Sequence, residues 1–369
     1  MHVAQRGLQM LRPQLIATAL LSVGLAAFHL AVTSACAQPS FEGQTIRIAV
    51  SSSTGGVVDI LARQFAPFIA RHIPGKPQVI VENRPGGGGA VAANYVYNLA
   101  KPDGQHIGFL FGVVTPGLIW GEGIRFDPAK FHWLGAVSQT QVLLARKDLN
   151  LSSFRDLAKP AMPLVLASLG NNSTADLANR LFLDMIGAKY KYVSGYPGQP
   201  ETVLALSRGE ASLTNVGLTF YVPRREAMRK EGIYDAIVQR GEYAADGTFR
   251  RNKQLAEMPT MVEAITELNP TALKGGDFAT YRSSVAAFVV QFGFVLPPAT
   301  PAGIVSTMRK AIGDALEDPE TRKSTSELLK VDYDFVDGES SRRLVEEMRT
   351  AYYADARIAE RLKQLMALK

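Results

Sequence analysis

At 369 residues with a net charge of +6, 47% hydrophobic and 20% charged, the chain is long enough for two domains and is composed like a globular protein rather than a disordered one. The small basic excess slightly favours anionic partners, and the absence of any Lys/Arg run interleaved with aromatics argues against nucleic acid. Cys36 is the only cysteine, which excludes a disulfide framework and a cysteine-based metal site.

In chain order, Arg6 and Arg12 precede an apolar run from Leu15 to Val32 that ends in Ala35-Cys36-Ala37. A basic flank, an apolar stretch and an A-x-A site predict an export signal over residues 1–37, cut after Ala37. The mature chain then has no cysteine and no thiolate nucleophile. Two alternatives stay open. An apolar run of about 18 residues reaches the lower limit for a retained membrane anchor, although Thr18, Ser22 and His29 interrupt it. Lipidation at Cys36 is the other, although Thr33-Ser34-Ala35 lacks the leucine-like residue expected before a lipid-bearing cysteine.

Thr45–Val50 reads as a buried strand ending in the polar loop Ser51–Gly56, with Ser53 or Thr54 as helix cap and Leu61, Phe65, Phe68 and His72 at helical spacing. Pro67 is expected to kink or break that helix. A second strand, Gln78–Glu82, runs into Gly86, Gly87, Gly88 and Gly89 and a helix from Ala90 to Ala100, followed by a strand from Ile107 to Phe111. Four glycines allow positive φ and suit close approach by an anion or another chain segment. The pattern then repeats. Ser153–Asp156 is a capping-box candidate, Leu164–Ala167 a strand ending in Ser168–Thr174, and a helix carries Leu177, Leu181 and Met185. Tyr190–Val193 and Ala211–Asn215 are further strands flanking a helix that ends at Arg208. Strands alternating with helices predict parallel sheets.

Residues 242–277 read as a longer surface connection holding one clear phrase, Met258–Ala264. Val285–Leu296 is a continuous apolar run that crosses back to the first unit. Pro301 and Asp318-Pro319 each open a helix, Asp332–Val336 is a strand, and Ser340 caps a final helix with Leu344, Met348 and Tyr352.

No catalytic set assembles. After signal removal only His72, His106 and His132 remain, without metal-ligand spacing, and no serine lies in a G-x-S-x-G elbow. What recurs is a hydroxyl- and glycine-rich loop at the carboxyl end of a strand before a helix, at Ser51–Gly56 and Ser168–Thr174. Helix N-termini there can hold a carboxylate or phosphate, and ligands of open α/β sheets sit outside the carboxyl ends of strands. The same hydroxyls serve equally as plain helix caps.

Thr54-Gly55-Gly56 with Asp59 and Leu61-Ala62-Arg63, then Val81-Glu82-Asn83-Arg84-Pro85-Gly86, then Pro102-Asp103-Gly104, resembles the N-terminal signature of tripartite tricarboxylate transporter substrate-binding proteins, the TctC or Bug family. Phe126-Asp127-Pro128, Ala167-Ser168 with Gly170-Asn171, Tyr196 with Gly198, Pro259-Thr260 with Glu263-Ala264, and Pro298-Ala299 with Thr300-Pro301 follow in the same order. The resemblance implies an α/β, two-lobe periplasmic-binding-protein-like fold of type II, each lobe a mostly parallel sheet flanked by helices. Lobe 1 is expected over 41–141 and 290–369 and lobe 2 over 142–289, joined by crossing strands near Val142–Arg146 and Phe288–Leu296.

It also implies a periplasmic monomer, not an enzyme and without cofactor or metal, that closes on a small carboxylate and delivers it to membrane permease subunits; a sensor reporting to a membrane signalling partner is the alternative. The implied ligand residues are Ser53, Thr54, Gly55, Gly56 and Gly112 on one lobe, and Ser168, Gly170, Asn171, Ser173, Thr174, Tyr196 and Asn215 on the other. Ser51-Ser52-Ser53, Val57-Val58, Thr115-Pro116-Gly117 and Asp176, where relatives often carry histidine, depart from the family pattern. An added carboxylate at Asp176 would repel an anion unless it points away.

Overall fold

The computed structural model describes residues 39–119, 123–159, 162–168, 174–196, 199–243 and 248–367, with only the backbone described for Thr174 and Ala175. The expected export signal, together with Gly170, Asn171 and Ser173, lies outside the described residues.

β1 (Thr45–Val50) leads into α1 (Val57–His72), and β2 (Gln78–Asn83) into α2 (Ala90–Asn98), followed by β3 (His106–Phe111) and β4 (His132–Ser138). After Gln139 and Thr140 the chain enters β5 (Gln141–Arg146), then β6 (Leu164–Ala167), α3 (Thr174–Met185), β7 (Tyr190–Val193), α4 (Gln199–Ser207), β8 (Leu213–Gly217) and β9 (Tyr234–Gln239). The remainder is α5 (Met261–Leu268), α6 (Gly276–Val289), β10 (Phe292–Leu296), α7 (Ala302–Glu317), α8 (Pro319–Leu329), β11 (Asp334–Asp337), α9 (Gly338–Ala354) and α10 (Ala356–Ala367). Short helical segments and a small hairpin lie between these elements.

Two sheets result, one of six strands in the order β11-β4-β10-β3-β1-β2 and one of five in the order β7-β6-β8-β5-β9. They are mixed rather than mostly parallel. β1 is parallel to β2 and β3, and β6 to β7 and β8, as strand–helix–strand units require. β10 runs antiparallel to β3 and β4, and β5 antiparallel to β8 and β9. The reason lies in the crossings. β4 ends at the edge where β1 and β3 end, and β5 starts at the edge where β6 and β8 end. A strand that enters a sheet at this shared edge must run away from it, opposite to the strands that finish there. The crossings themselves are the links Gln139-Thr140 and Val290-Gln291, since β5 and β10 each pair within a single sheet.

One face of the six-stranded sheet is filled by Ile46, Ile48 and Val50 against Leu61, Phe65 and Ile69 of α1 and Met308 and Ile312 of α7. Phe65, Phe109 and Phe294 form its centre, with Phe109 and Phe294 stacked at 4.1 Å. α9 lies on β4, α6 on α3, and α10 packs on both α6 and α3.

Several expectations change in the structure. α1 continues through Pro67, whose ring is exposed. Its N-cap is Gly56, without a side-chain cap; the hydroxyl that accepts from the first turn is Ser52, bonded by the Asp59 amide at 3.2 Å, not Ser53 or Thr54. Residues 242–277 are not a loose surface connection: α5 buries Met261, Ala264 and Ile265 and opens with a capping box between Thr260 and Glu263. Its Thr260 Oγ1 accepts from Glu263 N at 3.1 Å and its amide donates to Glu263 Oε2 at 2.7 Å. We expect Thr260→Ala to lower stability by about 1 kcal/mol, the usual worth of an N-cap, read as a lower urea midpoint at unchanged m-value. The apolar run Val285–Leu296 is the end of α6 plus β10, because a buried helix and a buried strand give the same uninterrupted hydrophobicity. Asp337, not Ser340, caps α9 by accepting from Glu339 N and Ser340 N, and α9 is followed by one more helix, α10.

Candidate functional site

At the carboxyl edge of the six-stranded sheet, the loop after β1 is held from within. Asp59 is 2% exposed and accepts from Gly55 N at 2.9 Å, Arg63 Nε at 2.9 Å and Asn83 Nδ2 at 2.9 Å. Asn83 Nδ2 also donates to Ser52 O at 2.9 Å, while its Oδ1 accepts from Thr54 Oγ1 at 3.3 Å and Arg63 NH2 at 3.1 Å. Burial pushes the Asp59 carboxyl up, but Arg63, the Gly55 amide and Asn83 outweigh it and hold it below its usual value. The Glu-Asn-Arg phrase is therefore a staple. Asn83 clamps the loop, Glu82 pairs with Arg47 at 2.6 Å, and Arg84 lies 3.6 Å above the ring of Tyr95.

The glycine run serves a close approach between chain segments. Gly89, at φ 99°, sits so near the end of β3 that a Cβ would stand 3.0 Å from Phe111 O. Phe111 N in turn donates to Ser51 Oγ at 3.0 Å. Among the expected ligand residues on this edge, Gly55 N is engaged by Asp59, Gly56 N by Ser53 O at 3.0 Å, and Gly112 N by Gln291 O at 3.0 Å. Ser53 and Thr54 are exposed on the loop. The edge thus presents hydroxyls and the first turn of α1 more than free glycine amides.

On the five-stranded sheet, Ser168 is buried at the end of β6, with its Oγ 2.8 Å from Tyr192 OH and its carbonyl accepting from Tyr196 N. Tyr196 is half-buried against the apolar cluster that contains Tyr221. Thr174 is the first residue of α3. Asn215, 9% exposed, donates from Nδ2 to Gln141 Oε1 at 3.0 Å.

Gln141 and Arg240 escape the sequence reading. Arg240 is 1% exposed, donates from NH2 to Gln141 Oε1 at 2.8 Å, and lies 3.7 Å over the ring of Phe288. Burial lowers its pKa to about 10, against the opposing fields of Tyr281 and Asp176, so it stays cationic at neutral pH. Asp176 is 1% exposed in the first turn of α3, within the field of Arg240. Its carboxylate is thus buried rather than presented to solvent. The available signal for Arg240 was a charged residue closing the strand Tyr234–Gln239, which the sequence reading did not identify.

Among the described residues each histidine keeps a partner: His72 with Asp318 at 3.2 Å, His106 with Asp103 at 3.3 Å and His132 with Pro298 O at 2.9 Å. No group of three or more metal-ligating side chains exists among the described residues, and none of their helices is long and apolar enough to cross a membrane.

The family described as "Tripartite tricarboxylate transporter family receptor" matches residues 61–349. A UPF0065 protein of Bordetella pertussis is 26% identical over 301 residues, covering 79% of this chain and 82% of that protein. Among solved structures, MatC from Rhodopseudomonas palustris with bound malate has a TM-score of 0.62 at 21% identity, over 86% of this chain and 98% of MatC. An R. palustris protein with adipate has a TM-score of 0.63 at 22% identity, over 86% of this chain and 97% of that one. The shared architecture is the two-lobe fold of periplasmic binding proteins.

Proposed function

Because the chain belongs to the tripartite tricarboxylate transporter receptor family, we propose that it is an exported solute-binding protein that captures a small organic carboxylate between the facing edges of its two sheets and delivers it to membrane permease subunits. The observation that carries this reading is the meeting of both edges at the links Gln139-Thr140 and Val290-Gln291. The first edge brings the polar loop Ser51–Gly56 and the start of α1, and the second brings Ser168 and the start of α3. Unsatisfied N–H groups and the positive ends of helix dipoles favour an anion there. The malate and adipate in structural relatives are small dicarboxylates of suitable kind.

The lobes follow the expected bounds, 41–141 with 290–369 and 142–289, except that Gln141 stands with lobe 2 as the first residue of β5; the links serve as hinge and α10 rides on α3 and α6 of lobe 2. Ligand bridges the lobes and selects the closed form, which the permease reads. In this reading the ligand residues are Ser53, Thr54, Gly55, Gly56 and Gly112 of lobe 1 and Ser168, Gly170, Asn171, Ser173, Thr174, Tyr196 and Asn215 of lobe 2. Residues 1–37 direct export.

A thermal-shift panel of mono-, di- and tricarboxylates, amino acids and sugars tests the reading. A ligand at 100 times its Kd stabilises by about 2.7 kcal/mol, so one carboxylate class should raise the unfolding temperature. Shifts confined to sugars or other uncharged compounds would overturn the reading.

A further inference from the structure

Chemistry dictates the orientation of two side-chain amides at the edge of the five-stranded sheet. A guanidinium has only donors, so the atom of Gln141 that meets Arg240 NH2 at 2.8 Å has to be its oxygen. That same oxygen accepts from Asn215 at 3.0 Å, so the atom of Asn215 that meets it has to be nitrogen. Asn215 Oδ1 consequently faces away from Gln141. Turning Gln141 over would aim an N–H at the guanidinium, and turning Asn215 over would set oxygen against oxygen; Arg240 is itself held by its backbone N–H, which donates to Gln141 O at 2.9 Å, and by the ring of Phe288. Asn215 therefore offers a ligand an acceptor, Oδ1, beside the second N–H of its Nδ2, and only the acceptor calls for a donor on the ligand, which an ionised carboxylate lacks.

Building on the carboxylate reading above, we propose that Asn215 determines specificity by accepting a hydrogen bond from a hydroxyl on the ligand, so that the site selects an acid carrying a hydroxyl over the same acid without one. The hydroxyl would donate to Asn215 Oδ1 while the carboxylate is held elsewhere in the cleft, in the manner of the carboxylate reading.

The test is calorimetric binding at pH 7.5, where ligand carboxylates are acceptors only, with matched pairs: malate and succinate, citrate and tricarballylate, lactate and propionate. The pair that fits the site should show the hydroxy acid bound about 10-fold more tightly, since a site built around a ligand hydroxyl discriminates against its absence. In Asn215→Leu the two members should converge through weaker binding of the hydroxy acid alone. In Gln141→Glu, which keeps an oxygen to receive both Asn215 and Arg240, the preference should persist. Equal affinities within every pair in the wild-type protein would overturn the proposal while leaving the carboxylate reading intact, whether or not Asn215→Leu folds. A preference that survives in folded Asn215→Leu would overturn it too. Failure of every acid to bind would overturn both readings.

Discussion

Gly293→Ala is expected to lower the unfolding free energy by roughly 3 kcal/mol or more, at the upper end of what overpacking a core costs. Gly293 lies inside β10, between Leu110 of β3 and Ala136 of β4. A Cβ there would stand 2.3 Å from Cζ3 of Trp133, with two more ring carbons at 3.1 and 3.2 Å. The ring has little room to give way. Trp133 is 1% exposed and its Nε1 donates to Pro128 O at 2.9 Å, so a shift of the indole would break a buried hydrogen bond. Gly303 in α7 provides the control, since a Cβ there meets nothing within 4 Å and its φ is ordinary. Gly303→Ala should be neutral or stabilise by up to about 1 kcal/mol through helix propensity. Urea unfolding of both variants checks the pair, and equal midpoints would contradict the steric argument.

Asp59→Ala is the second large effect, expected to cost about 3 kcal/mol and to weaken ligand binding together with stability. The substitution leaves Asn83 Nδ2 and the Gly55 amide without the carboxylate that receives them and separates Arg63 from its buried partner. The loop Ser51–Gly56 would lose the clamp that sets its shape. The exposure of Arg63 and Gly55 to water keeps the loss below that of a fully buried pair.

The pH dependence follows in sign from the depressed folded pKa of Asp59. A carboxylate held below its ordinary value contributes stability that is complete above about pH 4 and is lost as pH falls through the folded value. The difference in stability between the wild-type protein and Asp59→Ala should therefore be constant near neutrality and shrink below about pH 4. A constant difference down to pH 2 would show that Asp59 is not bound as an ion.

Local signals were legible where one residue type dictates one geometry. The strands Thr45–Val50, Leu164–Ala167 and Tyr190–Val193, the capping box at Ser153–Asp156 and the helix starts at Pro301 and Asp318 are set by short-range chemistry, and the structure places them at the expected residues. Signals that compete within a few residues were not legible in the same way. The apolar stretch Val285–Leu296 could be helix or strand by composition alone, and only the pairing of Phe292–Leu296 with both β3 and β4 assigns its second half to the sheet. Pro67 shows the reverse case. Packing of Leu61, Phe65 and Phe68 carries the helix past a residue that by itself disfavours it.

The candidate site divides along the same line. The sequence by itself determined that the chain has two α/β units with donor-rich loops after their strands, and that Thr54-Gly55-Gly56, Asp59 and Glu82-Asn83-Arg84 form a recognisable set. Hydroxyls, glycines and strand periodicity are local properties, and they persist in whatever tertiary setting the loops occupy. Tertiary structure alone decided what those residues do. Asn83 meets Asp59 across 24 positions of sequence, which turns the family phrase into a clamp on the loop. Gln141 meets Asn215 across 74 positions and Arg240 across 99. A hydrogen bond between distant residues leaves no periodic trace along the chain, because its donor and acceptor are brought together only when the strands that carry them pair.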